Sequence, residues 1–356
     1  MQTILGVIFH SIGGFASGSF YMPFNKVKGW KWESFWIVGG LFSWLIVPPL
    51  AAYLTIPEFG EIIRSGASNI LYFVFVMGLL WGIGGLTYGL GVRYLGMSLG
   101  NSVVLGFCAA FGAIVPSIYY NFNPTEGKIS FTDMLGSPGG KMVLLGVLVC
   151  LLGIWISGKA GMMKEKEMPE EERKKSVAEF ALVKGLIIAI ISGILSSFFN
   201  FGIEGGKSLA AVAAQRPDML FEGSSKLFQN NVTYVVLLWG GLTTNFIWCT
   251  ILSLKNKAYT DYVDKKTPRL KNILFSALAG TTWFLQFFFY GMGESKLGNG
   301  ASSWILHMST IILTANMWGI YRKEWTGVSI RTKRTIIIGI STIIASVFLV
   351  GIGNSM

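Results

Sequence analysis

Residues 78–96 read GLLWGIGGLTYGLGVRYLG, and residues 280–298 read GTTWFLQFFFYGMGESKLG. At an offset of 202 they share Gly78/Gly280, Trp81/Trp283, Tyr88/Tyr290, Gly89/Gly291, Gly91/Gly293, Leu95/Leu297 and Gly96/Gly298. A second pairing stands at an offset of 179, where Gly6, Ile8, Ile12, Gly14, Ser17 and Phe20 match Gly185, Ile187, Ile191, Gly193, Ser196 and Phe199. The chain therefore carries an internal repeat. The hydrophobic core of a bilayer, about 30 Å thick, needs roughly 20 apolar residues per helix. That template predicts ten spans, 4–24, 35–54, 71–92, 98–119, 142–158, 182–206, 232–254, 272–293, 299–321 and 335–353. Five helices per half is an odd number, so the second half enters the membrane upside down. Inverted repeats are an architecture of secondary transporters, with the site near the bilayer midplane.

Composition agrees. Of 356 residues 52% are apolar and 13% charged, with a mean hydropathy of +0.56. Soluble domains carry about 25% charged residues, so a water-soluble globular protein is excluded. The 45 glycines suit helices that approach closely in lipid. The fold class is an all-α polytopic membrane protein, with no long β-alternation to suggest a barrel. Three parts are expected: a first five-helix repeat over 1–158, a charged linker over 159–181, and a second repeat over 182–356. The run Ile4 to Phe24 lacks a basic leader and a small-residue cleavage site, so it reads as a retained helix.

The net charge of +11 is dispersed between apolar runs, which points to membrane orientation and away from nucleic acid. Of the 29 Lys and Arg residues, 22 fall in the odd-numbered connections and 7 in the even-numbered ones. The bias places the linker in the cytoplasm and both termini outside. Cys108, Cys150 and Cys249 lie within apolar stretches, without metal-ligand spacing or a disulfide pattern. No metal or cofactor is expected. Enzyme motifs are missing too; Gly205-Gly206-Lys207-Ser208 resembles the end of a phosphate-binding loop, but its earlier glycine position is Phe201.

The predicted spans hold almost no fixed charge. All four aspartates lie in connections, and Glu204, Glu294, Arg93 and Lys207 sit near span ends. An ionic cargo would call for a buried countercharge, so the interior suits a neutral, polar one. Trp283, Gln286, Phe287 and Tyr290 form one stripe at i, i+3, i+4 and i+7, and Trp81 and Tyr88 form the equivalent pair. Asn200, Asn245 and Asn316 add amides. Rings against C–H faces and amides against hydroxyls make a sugar site from Trp81, Tyr88, Asn200, Trp283, Gln286 and Tyr290. The same stripe also suits plain packing between helices. The two histidines, His10 and His307, both fall inside spans, His307 about 12 Å into its helix. Imidazole titrates near neutral pH, so His307 is the first candidate proton carrier, His10 the second and Glu204 a third.

Several motifs carry a resemblance. They are Phe20-Tyr21-x-Pro23-Phe24-x-Lys26-Val27-Lys28-x-Trp30 with Trp32-Glu33, Arg93-Tyr94-Leu95-Gly96-Met97-Ser98, Leu144-Leu145-Gly146-Val147-Leu148-Val149, Leu285-Gln286-Phe287-Phe288-Phe289-Tyr290, Ser303-Trp304-x-Leu306-His307-Met308-Ser309 and Lys323-Glu324-Trp325. Together with His10 they resemble the bacterial L-rhamnose–proton symporter family of the drug/metabolite transporter superfamily, over about residues 4–353. Residues 207–231 and 297–302 depart from the pattern. The resemblance implies an inner-membrane carrier, not an enzyme, that imports L-rhamnose or a closely related neutral deoxysugar with a proton by alternating access. The alternative reading is a transporter of another neutral metabolite or drug of the same superfamily. The sequence leaves the oligomeric state open.

Overall fold

The computed structural model describes residues 2–95, 97–124, 129–167, 182–321, 325 and 327–356. The linker stretch 168–181, Gly96, Lys323, Glu324 and the side chains of Arg93 and Asn316 lie outside the described residues. Among the described residues every regular element is helical. Nine helices of the described residues are long and apolar enough to cross a bilayer: Gln2–Phe24, Trp32–Thr55, Ser68–Gly91, Val103–Phe122, Pro138–Lys164, Val183–Gly205, Ser224–Asn256, Arg269–Leu297 and Ile330–Gly353. The expected span 299–321 falls on helix Gly300–Tyr321, whose apolar described stretch is Ser302–Ala315. Several helices outrun their apolar spans. Pro138–Glu167 continues through Lys164, Lys166 and Glu167, because hydropathy marks the part of a helix in lipid and backbone hydrogen bonding continues past it.

The chain divides into two compact units. The first comprises Met1–Val7, Ile83–Asn200 and Leu297–Met356; the second comprises Ile8–Gly82 and Phe201–Lys296. Each draws on both halves of the sequence.

In the first unit, helices Pro138–Glu167 and Ile330–Ser355 lie against each other along a seam of small residues. Gly139, Gly146 and Gly153 recur every seven residues, the spacing that keeps one face of a helix on its neighbour. A Cβ at Gly153 would stand 2.9 Å from the Ile343 amide nitrogen, and one at Gly353 would stand 2.7 Å from the Gly139 carbonyl. Such approach maximises dispersion contact where lipid supplies no hydrophobic drive. Val147, Cys150, Ile154, Ile343 and Val350 fill the adjoining core with Ile305, Leu306 and Ile312. At one end Glu167 accepts from the Ser329 amide at 2.6 Å and from the hydroxyls of Thr332 at 2.6 Å and Ser329 at 2.7 Å. These bonds, the Thr332 hydroxyl foremost, hold the Glu167 carboxyl below its ordinary range.

In the second unit, glycines again set the closest approaches. A Cβ at Gly78 would stand 3.1 Å from Gly240 Cα, and one at Gly280 would stand 3.0 Å from Gly39 Cα. Thus the second helix of each half crosses the third helix of the other at a glycine pair. The connection 25–34 is clasped to 256–272. Asp261 accepts from the Lys31 amide and the Ser34 hydroxyl, both at 2.7 Å, and Asn256 donates to Glu33 at 2.8 Å. Asn272 bonds both the amide (3.0 Å) and the carbonyl (2.8 Å) of Lys28. Here the Lys28 to Glu33 part of the motif has a structural reason.

Candidate functional site

The second unit gathers Trp81, Trp283, Gln286, Tyr290, His10 and Glu204; Tyr88, Asn200 and His307 belong to the first. Trp81 and Trp283 lie with ring centroids 5.5 Å apart, both partly exposed. A third indole, Trp44, meets Trp81 edge-on at 6.2 Å and Trp283 at 5.9 Å. Trp44 was not singled out by the sequence, where it is one more apolar residue. It lies in a π-helical turn, Leu41–Ile46, inside the helix Trp32–Thr55. The turn follows from Pro48 and Pro49. Neither has an N–H, so the carbonyls of Trp44 and Leu45 lose their usual partners, and the Val47 amide bonds Phe42 instead. Such turns recur at functional positions.

Two donors at this cluster are buried without an acceptor: the indole N–H of Trp44 and the amide nitrogen of Gln286, each residue 4% exposed. Leaving a buried donor unsatisfied costs about 1–3 kcal/mol. Gln286 follows Trp283 by one turn on the same face of its helix. The cluster thus offers ring faces beside donors that a hydroxyl oxygen can satisfy. Asn245, by contrast, is committed: it accepts from the Trp36 indole at 3.1 Å and donates to the Gly241 carbonyl at 2.9 Å.

His10 is fully buried, its ring 5.2 Å from the Tyr290 ring, and packs on Gly293. A Cβ at Gly293 would stand 2.7 Å from the imidazole Nε2. The first unit contains the counterpart. By the repeat offsets Gly293 corresponds to Gly91, Tyr290 to Tyr88 and His10 to Ala189. A Cβ at Gly91 would stand 3.4 Å from Ala189, and Tyr88 packs on the same small cluster as Ala189 and Val104. One copy of the contact holds an imidazole where the other holds a methyl group. His10 is therefore more than the geometry of this contact requires.

Asn200 donates to the Gly112 carbonyl at 2.5 Å. The cause is Pro116, inside helix Met97–Phe122: it has no N–H to return to the carbonyl four residues earlier, and Asn200 supplies one. The Trp304 indole donates to the Cys108 carbonyl at 3.0 Å and covers Gly112. His307, also fully buried, follows Trp304 by one turn in helix Gly300–Tyr321.

Beside His10 and Tyr290 lies a charged group that position along the spans understated. Glu294 is 3% exposed, and its two oxygens accept from the Lys207 ammonium and, at 2.7 Å, from the Asn230 amide. Glu204 stands 3.9 Å from the same ammonium. Among the described residues no three or more His, Cys, Asp or Glu side chains gather as metal ligands.

Long apolar helices, glycine crossings and an indole cluster edged by uncommitted donors define a polytopic helical membrane protein of the carrier type. The family model of the L-rhamnose-proton symport protein matches residues 1–356, and the chain belongs to that family. It is 38% identical over 355 residues to the L-rhamnose-proton symporters of Yersinia pestis (strain Pestoides F) and Yersinia pseudotuberculosis serotype O:1b (strain IP 31758), covering 98% of each and 98% of this chain.

Proposed function

We propose that this protein imports L-rhamnose together with a proton by alternating access, and that membership of the symport family is the observation that carries the reading. Ten transmembrane helices form two inverted five-helix repeats, 1–158 and 182–356, joined by the linker 159–181. The tenth is Gly300–Tyr321, whose 22 residues span about 33 Å at 1.5 Å each. The reciprocal glycine crossings and the paired Gly91–Ala189 and Gly293–His10 contacts support the repeat. The positive-residue bias supports an inner-membrane orientation with both termini outside the cytoplasm.

Trp81 and Trp283 stack on the sugar's C–H face, while Gln286 and the Trp44 indole N–H donate to its hydroxyl oxygens. Tyr290 backs the stripe. Tyr88, in the place that matches Tyr290, and Asn200, whose nitrogen serves Gly112, are the candidate sugar contacts of the first unit. His307, His10 and Glu204 are candidates for carrying the proton. Symport requires that sugar and proton each favour the other's binding, a coupling of about 1–3 kcal/mol.

Labelled L-rhamnose uptake into cells, with competition by a panel of other neutral sugars and lipophilic dyes, tests the substrate. Competition by L-rhamnose and its closest deoxysugars alone is expected. Uptake displaced more effectively by an unrelated metabolite or a dye would overturn it.

A further inference from the structure

The sugar site leaves unexplained the buried group on the far turn of its own helix. Glu294 lies one turn beyond Tyr290, and each of its carboxylate oxygens has a different partner, Lys207 Nζ and Asn230 Nδ2. Asn230 is 1% exposed, and its remaining polar atom, Oδ1, is buried without a donor. The groups around Glu294 are Glu204 and Lys207 from 204–207, Asn230 and Tyr234 from helix Asn230–Asn256, and Tyr290 from its own helix, with His10 from Gln2–Ser19 packed on Tyr290 and on the neighbouring Gly293.

We propose that the group that takes up and releases the transported proton is Glu294, in place of the sequence candidates His307, His10 and Glu204, with Lys207 and Asn230 as its positioning partners. The inference rests on the symport reading. Two carboxylates and one ammonium leave the cluster one negative charge in excess, and a buried excess charge is costly. A proton from water bonding to a Glu294 oxygen brings the cluster to neutrality. The ammonium then turns to Glu204, one helical turn from Lys207. The Asn230 amide serves both states: its N–H donates to the carboxylate, and, turned over, its Oδ1 accepts from the new carboxylic O–H. Return of the proton to water on the other side reverses each step. Burial works against the Lys207 ammonium, but Glu294 and then Glu204 more than compensate, so its pKa lies above the ordinary lysine value while both carboxylates are ionised, and Glu204 is the partner that remains once Glu294 is protonated.

The test uses the purified protein in proteoliposomes. Wild-type protein must first show sugar-linked alkalinisation of the outer medium; its absence would sink the symport reading itself. Glu294→Gln, the isostere of the protonated acid, is expected to lose that alkalinisation and at least about tenfold of proton-driven accumulation, as general charge-coupling energies imply, while labelled sugar still exchanges measurably. Alkalinisation at the wild-type proton-to-sugar ratio in Glu294→Gln would overturn the proposal. Lys207→Gln supplies an independent arm should the first variant fail to fold. Losing the neighbouring cation raises the carboxyl's proton affinity, so the pH of half-maximal uptake should move upward by about one to three units. An unchanged or lowered value would contradict Glu294 as the carrier.

Discussion

Asn200 shows how one side chain's duty is set by another's deficiency. Pro116 removes the N–H that would reach Gly112, and Asn200 replaces it. Asn200→Ala should therefore destabilise the protein by about 1–3 kcal/mol, the cost of a buried carbonyl left without a donor. Adding Pro116→Ala restores a backbone N–H at that place, so the double variant should recover much of the loss in a thermal-melt cycle; additive losses would refute the assignment. The two repeat-related glycines give a second contrast. Gly293→Ala drives a methyl into the His10 ring and should impair uptake strongly, whereas Gly91→Ala meets Ala189 at ordinary contact distance and should be tolerated. Equal effects in an uptake assay would remove the special status of His10. At the indoles, Trp44→Phe keeps a ring and deletes the N–H. Sugar affinity should fall by roughly two- to tenfold, the worth of one neutral hydrogen bond. Normal affinity in a binding titration would place that N–H outside the site.

Elements were more legible than the bonds between them. Apolar runs located the helices because lipid imposes its thickness on sequence, and the paired Trp-x6-Tyr-Gly-x-Gly stretches carry the proposed repeat. The indole pair Trp81–Trp283 emerged from that same pairing. Trp44 stayed hidden because hydropathy does not register helix type; Pro48 and Pro49, four residues after Trp44 and Leu45, were the available signal. Glu294 and Lys207 looked harmless at span ends, since distance along a helix says nothing about burial by residues from other helices. The seven-residue glycine spacing in Pro138–Glu167 was also there to be read. Its role gives a prediction at this scale: Gly153→Leu must force apart two helices in backbone contact and should destabilise by about 1–3 kcal/mol or more. A melting temperature unchanged in detergent would show that the seam yields at no cost.

For the molecule as a whole, the side chains proposed to contact the sugar are uncharged, and beside them in the second unit lies a small buried network of Glu294, Lys207 and Glu204. The near absence of charge from the predicted spans fits a neutral sugar, whereas the burial of Glu294 with Lys207 is not visible from their places at span ends. The two findings are complementary: a neutral solute requires no countercharge, whereas a cotransported proton requires a group to carry it. Both compact units take helices from each half of the chain, as reciprocal exchange between two repeats would produce. The most direct measurement records labelled L-rhamnose entry and external pH together in proteoliposomes with no imposed gradient other than the sugar's. Coupled import should give alkalinisation that starts with sugar entry and scales with it. Sugar entry at a steady external pH would contradict it.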